Sequence, residues 1–243
     1  MSKKYTYEEF LKIIETLRSE NGCPWDREQT HESLRPCMME EAAELVAAIR
    51  ILKKTGDPEN LAEELGDVLL QVVMHAQIAA EEGLFTMEDV VNRISEKMVR
   101  RHPHVFGDVS VSGSGEVLQN WDEIKKKEKE GKDWIESPLK EIPMELPALT
   151  RAPKVLKKAD KHYGKSRSLD EDLKDLQKAL DRLKVVGEEM QPETTGGDTA
   201  DQIWENEIGN MLMAIADIAR LKKLPLEQIL ADRTDDVIEE CEG

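Results

Sequence analysis

Residues 38–52, MMEEAAELVAAIRIL, and residues 61–79, LAEELGDVLLQVVMHAQIA, decide the fold. In the first, Met38, Ala42, Leu45, Ile49 and Leu52 recur at steps of three and four; in the second, Leu61, Leu65, Val68, Val72 and Ala79 do much the same. That period gathers each set on one stripe of an α-helix, which buries its stripe against a neighbour. The spacing predicts one helix from about Pro36, a residue suited to a first turn, to Thr55-Gly56. A second is predicted from about Pro58 to Glu82, with Gly83 as its C-cap. The short connection makes the two pack antiparallel.

N-terminal to these, Phe10, Ile13, Ile14 and Leu17 predict a helix over 5–19 that Asn21-Gly22 stops, followed by a loop over 22–30. Thr86 with Asp89 reads as a capping box, and Val90, Val91, Ile94 and Met98 carry a further helix to His102, just before Pro103. Helices joined by short loops imply a bundle. Residues 107–115, GDVSVSGSG, form a connector into a stretch bearing Val117, Leu118, Trp121 and Ile124, which ends in the charged run 125–132. Segment 136–153 holds Pro138, Pro143, Pro147 and Pro153 and reads as a linker. Beyond it the periodicity predicts helices near 169–190, 201–223 and 225–240, with a Gly/Thr-rich loop over 191–200. The expected architecture is all-α, with a helical module over 1–134, a linker over 135–153 and a second helical module over 154–243.

Composition agrees. The 243 residues are 39% hydrophobic and only 4% aromatic, a mix for Leu/Val/Ala/Met-packed helices. The 34 Lys+Arg against 51 Asp+Glu give a net charge of −17, which disfavours nucleic acid and anionic membranes as partners. No run approaches a transmembrane length, and the start MSKKYTYEEF has no apolar signal core, so a cytoplasmic location is expected. Cys23, Cys37 and Cys241 are odd in number and lack CxxC spacing, so neither a disulfide framework nor a thiolate zinc site is expected.

The chemistry lies in two acidic clusters, Glu40-Glu41-x-x-Glu44 and Glu64-x-x-Asp67, one on each deciding helix. At about 100° per residue, Glu41 and Glu44 stand about 60° apart at the edge of one apolar stripe, and Glu64 and Asp67 do so on the other. A lone ExxE on so charged a chain marks a solvated face. Two at the same offset on adjacent antiparallel helices bring four carboxylates together, and a hard divalent cation relieves their repulsion. An oxygen-only shell suits Mg²⁺ or Mn²⁺ rather than zinc. Lys97, Arg100 and Arg101 share one flank of their helix and can hold phosphate oxygens, Arg bidentately. Trp25 offers a face on which a nucleobase stacks, although a lone Trp between helices is more often a core plug. Asn21, Gln71 and Lys125 are further polar candidates, and His75 reads as a histidine at the rim of the core.

The strings GCPWDREQTHESL, MEEAAEL, EELGDVLLQVVMHAQ, EKMVRRHPHVFGD and WDEIKKKEK resemble the MazG family of nucleoside triphosphate pyrophosphohydrolases. The resemblance implies an all-α fold, hydrolysis of a nucleoside triphosphate to monophosphate and pyrophosphate, and a homodimer. It implies Glu41, Glu44, Glu64 and Asp67 as metal ligands, Lys97, Arg100 and Arg101 near the phosphates, and Trp25 as the loop aromatic; Lys125 joins the substrate-binding candidates on its charge alone. Glu40 and Glu44 are both candidates for the carboxylate that takes the water's proton. The family carries a second copy of the module, which residues 150–243 match only in outline. Lys178-Ala179-x-x-Arg182 stands in the place of EExxE, Glu207-x-x-Asn210 in that of ExxD, and Asp236, Glu239 and Glu240 replace the basic cluster. Catalysis is therefore expected in the first module, with the second degenerate. The alternative is a non-catalytic helical dimer, a regulator or scaffold with a vestigial nucleotide site. A di-iron bundle is disfavoured because the Glu28-x-x-His31 pair falls in a loop, and there is no P-loop signature.

Overall fold

In the computed structural model, residues 3–128, 137–189 and 199–243 are described, apart from the side chains of Gln119, Asp122, Lys126, Glu188 and Glu189. The expected end of the first module at 134, the first residues of the linker and most of the Gly/Thr-rich loop lie outside the described residues. All regular structure among the described residues is helical. No helix there is long and apolar enough to cross a membrane. The chain divides into two compact units, Met1–Lys129 and Glu130–Gly243.

The first unit contains α1 (Tyr7–Arg18), α2 (Pro24–Glu28), α3 (Arg35–Thr55), α4 (Glu59–Glu81), α5 (Met87–Arg101), α6 (Pro103–Phe106) and α7 (Ser114–Lys127). The two deciding helices form within a residue or so of their predicted bounds, with Pro36 in the first turn of α3 and Gly83 at φ 71° just beyond α4. The capping box before α5 is present: Thr86 and Asp89 exchange backbone and side-chain hydrogen bonds of 2.8 and 3.3 Å. α4 packs against α1, α3 and α5, and its second half is the spine of the core. Ile14, Leu34, Val73, Met74 and Ile78 cluster there, backed by Phe10, Leu17 and Leu70. Ala48, Ala76 and Ala79 are also buried, and such small side chains let helices approach closely. The first half of α4, which bears Glu64 and Asp67, has no fully buried residue. The acidic positions of α4 therefore lie in its more exposed half.

The loop expected over 22–30 contains the short helix α2, started by Pro24. Arg18, whose side chain is 5% exposed, ties it down: its guanidinium donates to the Asp26 and Gln29 carbonyls and to the Glu81 carboxylate on α4. A Cβ on Gly22 would stand 2.2 Å from the Leu17 carbonyl oxygen, so only glycine lets the chain turn there.

The second unit contains α8 (Ala148–Tyr163), α9 (Leu169–Glu189), α10 (Ala200–Lys222) and α11 (Leu226–Glu242). α10 packs on α9 and α8, and α11 on α8. The helix α8 begins inside the segment expected to be linker and runs through Pro153. Proline removes one backbone donor but does not prevent a helix anchored by tertiary packing, here against α10 and α11.

Candidate metal and nucleotide site

α3 and α4 bring one carboxylate oxygen each from Glu41, Glu64 and Asp67 to within 4.8 Å of one another. All three residues are half-buried. Asn60, one turn before Glu64, donates to its Oε1 at 3.0 Å and orients it. Burial, then the charges of Asp67, Glu44 and Glu64, push the Glu41 carboxyl above its ordinary range, while a hydrogen bond from Gln71 opposes the rise. Glu40 and Glu44 are exposed and lie outside this trio, although the Glu44 charge still reaches Glu41. The sequence placed four carboxylates at one point; the geometry gathers three. The 60° step from Glu41 to Glu44 turns the latter toward the solvent edge of α3.

The trio fits a hard cation. Three acceptors crowd together, and the buried Oε1 of neighbouring Gln71 has no hydrogen-bond partner. Acceptors in excess of donors, all of them oxygen, match the shell of Mg²⁺ or Mn²⁺.

The basic residues assemble on α5 and α7. Arg100 donates through Nε and Nη2 to Glu128 Oε1 at 2.9 and 2.7 Å, and Arg101 through the same atoms to Oε2 at 3.1 and 2.5 Å. The Arg101 and then the Arg100 guanidinium hold the Glu128 carboxyl down at about 2. Arg101 and Lys125 both stand over the Trp121 ring, at 5.8 and 5.5 Å from its centre. Lys97 instead lines a separate cavity of about 260 Å³ with Phe85, Val90, Arg93 and Ile94. Trp25 is 62% exposed, so it is no core plug and has a face open for stacking. His75, expected at the core rim, is half-buried and stacks on His31, with their Nδ1 atoms 2.8 Å apart. Burial and then His31 hold its imidazole below the usual range. Sequence reasoning missed Glu128 and Asn60. The first stands in the quoted WDEIKKKEK string, and the second was findable as a helical neighbour four residues before Glu64.

In the second unit, Lys178, Ala179 and Arg182 of α9 line one cavity of about 480 Å³ with Glu207 and Asn210 of α10. Arg182 reaches Glu207 at 2.6 Å, and the Asn210 amide donates to the same carboxylate at 3.4 Å. Where the first unit gathers carboxylates, this one holds its own cation.

A family model described as the MazG nucleotide pyrophosphohydrolase domain matches residues 29–106, which include both acidic helices and the Lys97–Arg101 segment. The nucleoside triphosphate pyrophosphohydrolase/pyrophosphatase MazG of Thermotoga maritima is 39% identical over 240 residues, covering 96% of this chain and 83% of that protein. The nucleoside triphosphate pyrophosphohydrolase of Escherichia coli K12 is 39% identical over 211 residues, covering 86% of this chain and 76% of that protein. YabN of Bacillus subtilis, described as an uncharacterized protein, is 52% identical over 153 residues, 63% of this chain but only 30% of its own length. With relatives aligned along nearly its whole length and the family domain lying over its acidic helix pair, the chain belongs to the MazG family.

Proposed function

We propose that this protein hydrolyses nucleoside triphosphates to the monophosphate and pyrophosphate, with a divalent cation, at the first unit. The observation that carries the reading is the convergence of Glu41, Glu64 and Asp67. These three, with Glu44 at their edge, would hold Mg²⁺ or Mn²⁺. Bound there, the cation would neutralise triphosphate charge and polarise the attacking water. Arg100, Arg101, Lys97 and Lys125 take phosphate oxygens, and Trp25 stacks on the base. Each Arg places two of its five N–H groups on Glu128, which leaves three outside that pair for a phosphate. Water attacks the α-phosphorus in line, its proton passes to Glu40 or Glu44, and the bond to the bridging oxygen breaks to release pyrophosphate.

The protein acts in the cytoplasm as a homodimer. Exposed Met39, Val46 and Ile49 on α3, Leu65 and Leu69 on α4 and Ile94 on α5 support the pairing, because so much apolar surface on adjacent helices is relieved by a second copy. The second unit, with Arg182 in place of a carboxylate, stabilises or regulates the assembly without catalysing.

Incubation with a panel of triphosphates and Mg²⁺ tests the reaction. Pyrophosphate is expected as the first product, and excess EDTA is expected to abolish its release. Orthophosphate as the first product, or full turnover in EDTA, contradicts the reading.

A further inference from the structure

Gln71 stands one turn beyond Asp67 on α4 and is only 5% exposed, in the half of the helix that otherwise supplies Val73, Met74, Ala76 and Ile78 to the core. A role confined to packing there would be filled better by leucine or methionine, since a buried amide must find partners for both of its heads. One head, the amide N–H, lies against the Glu41 carboxylate and favours its charged form. The other, Oε1, is fully buried without a donor. The two heads belong to one planar group, so the unmet acceptor lies close beside the Glu41 carboxylate, in a site already crowded with oxygen. Any species that satisfies it must bring donors or positive charge into that site.

We propose that Gln71 is a positioning residue of the cation site: its N–H sets the orientation of the Glu41 carboxylate, and its Oε1 accepts a hydrogen bond from the hydration shell that enters with the ion. The inference rests on the proposed cation site at Glu41, Glu64 and Asp67. Gln71 itself is not a ligand. It fixes a ligand and satisfies the shell behind it, the kind of support whose loss typically weakens metal affinity by about 10- to 100-fold.

The test uses the full chain and Mn²⁺, with the free ion measured by electron paramagnetic resonance during titration, so that it does not depend on turnover. Gln71→Met, close in size and shape, is expected to melt at or above the parent without metal and to bind Mn²⁺ at least about tenfold more weakly. Gln71→Leu serves as the second variant, with the same expectation. Affinity close to the parent's in a natively folded Gln71 variant, alongside loss of binding in Asp67→Asn, overturns the role of Gln71 alone. Failure of the parent to bind Mn²⁺, or binding that survives Asp67→Asn, overturns the cation site itself and the role of Gln71 with it.

Discussion

Glu41→Gln is expected to lower pyrophosphate release by at least about a hundredfold, while the metal-free variant melts no lower than its parent. The two halves of this result have one cause. Burial and three neighbouring carboxylates push the Glu41 carboxyl above its ordinary range. Its charge would serve the proposed cation, and it costs stability where no cation is bound. Because the folded-state value lies above the unfolded one, the native state holds this proton more tightly. The cost is therefore present above the raised value and fades as the pH falls through it toward the ordinary carboxylate range. The apo variant should thus equal or exceed the parent in melting temperature at neutral pH, with the gap closing in acid. Calorimetry across pH, beside a pyrophosphate assay, checks both halves. A variant that melts well below the parent at neutral pH contradicts the electrostatic account, and near-parental turnover contradicts the catalytic one.

Arg101→Ala is expected to raise KM for the triphosphate about 10- to 100-fold with a smaller change in kcat, through the loss of a charge-assisted fork. Arg101→Lys should recover only part of it, since an ammonium keeps the charge but not the paired N–H geometry. A signature in stability accompanies the kinetics. Glu128 is held at about 2, with Arg101 the largest cause, so its contribution is present above the unfolded carboxylate value near 4.5 and is lost as the pH falls from there toward 2. In Arg101→Ala that acid limb of the pH–stability curve should flatten. An unchanged KM together with a flattened limb would make the Arg101–Glu128 pair a structural clasp only.

Much of this was legible in the sequence, for reasons that differ by element. α3 and α4 are long, with clean apolar stripes, and the Thr86/Asp89 box marks the start of α5 in local residue types alone. α8 was not legible because Pro153 is read locally as a breaker, whereas packing against α10 and α11 decides in favour of the helix. Angular arithmetic put Glu41 and Glu64 on facing edges correctly, but it has no radial resolution. It therefore placed Glu44 with the trio, although that residue is exposed. Pairings between distant segments are beyond periodicity altogether. The Arg100–Arg101–Glu128 fork joins α5 to the end of α7, and the His31–His75 stack joins a loop to α4. In the second unit the substitutions were readable one by one, but the ion pair they make, Arg182 on Glu207, emerges only in three dimensions.

Under the proposed function, catalysis resides in the carboxylate trio of the first unit and not in its counterpart. The most direct measurement is the rate of pyrophosphate release by two full-length variants altered at corresponding positions, Asp67→Asn and Asn210→Ala. Asp67→Asn is expected to lose at least about a hundredfold while Asn210→Ala stays near the parental rate. Near-parental turnover in Asp67→Asn, with the loss falling on Asn210→Ala instead, would contradict it.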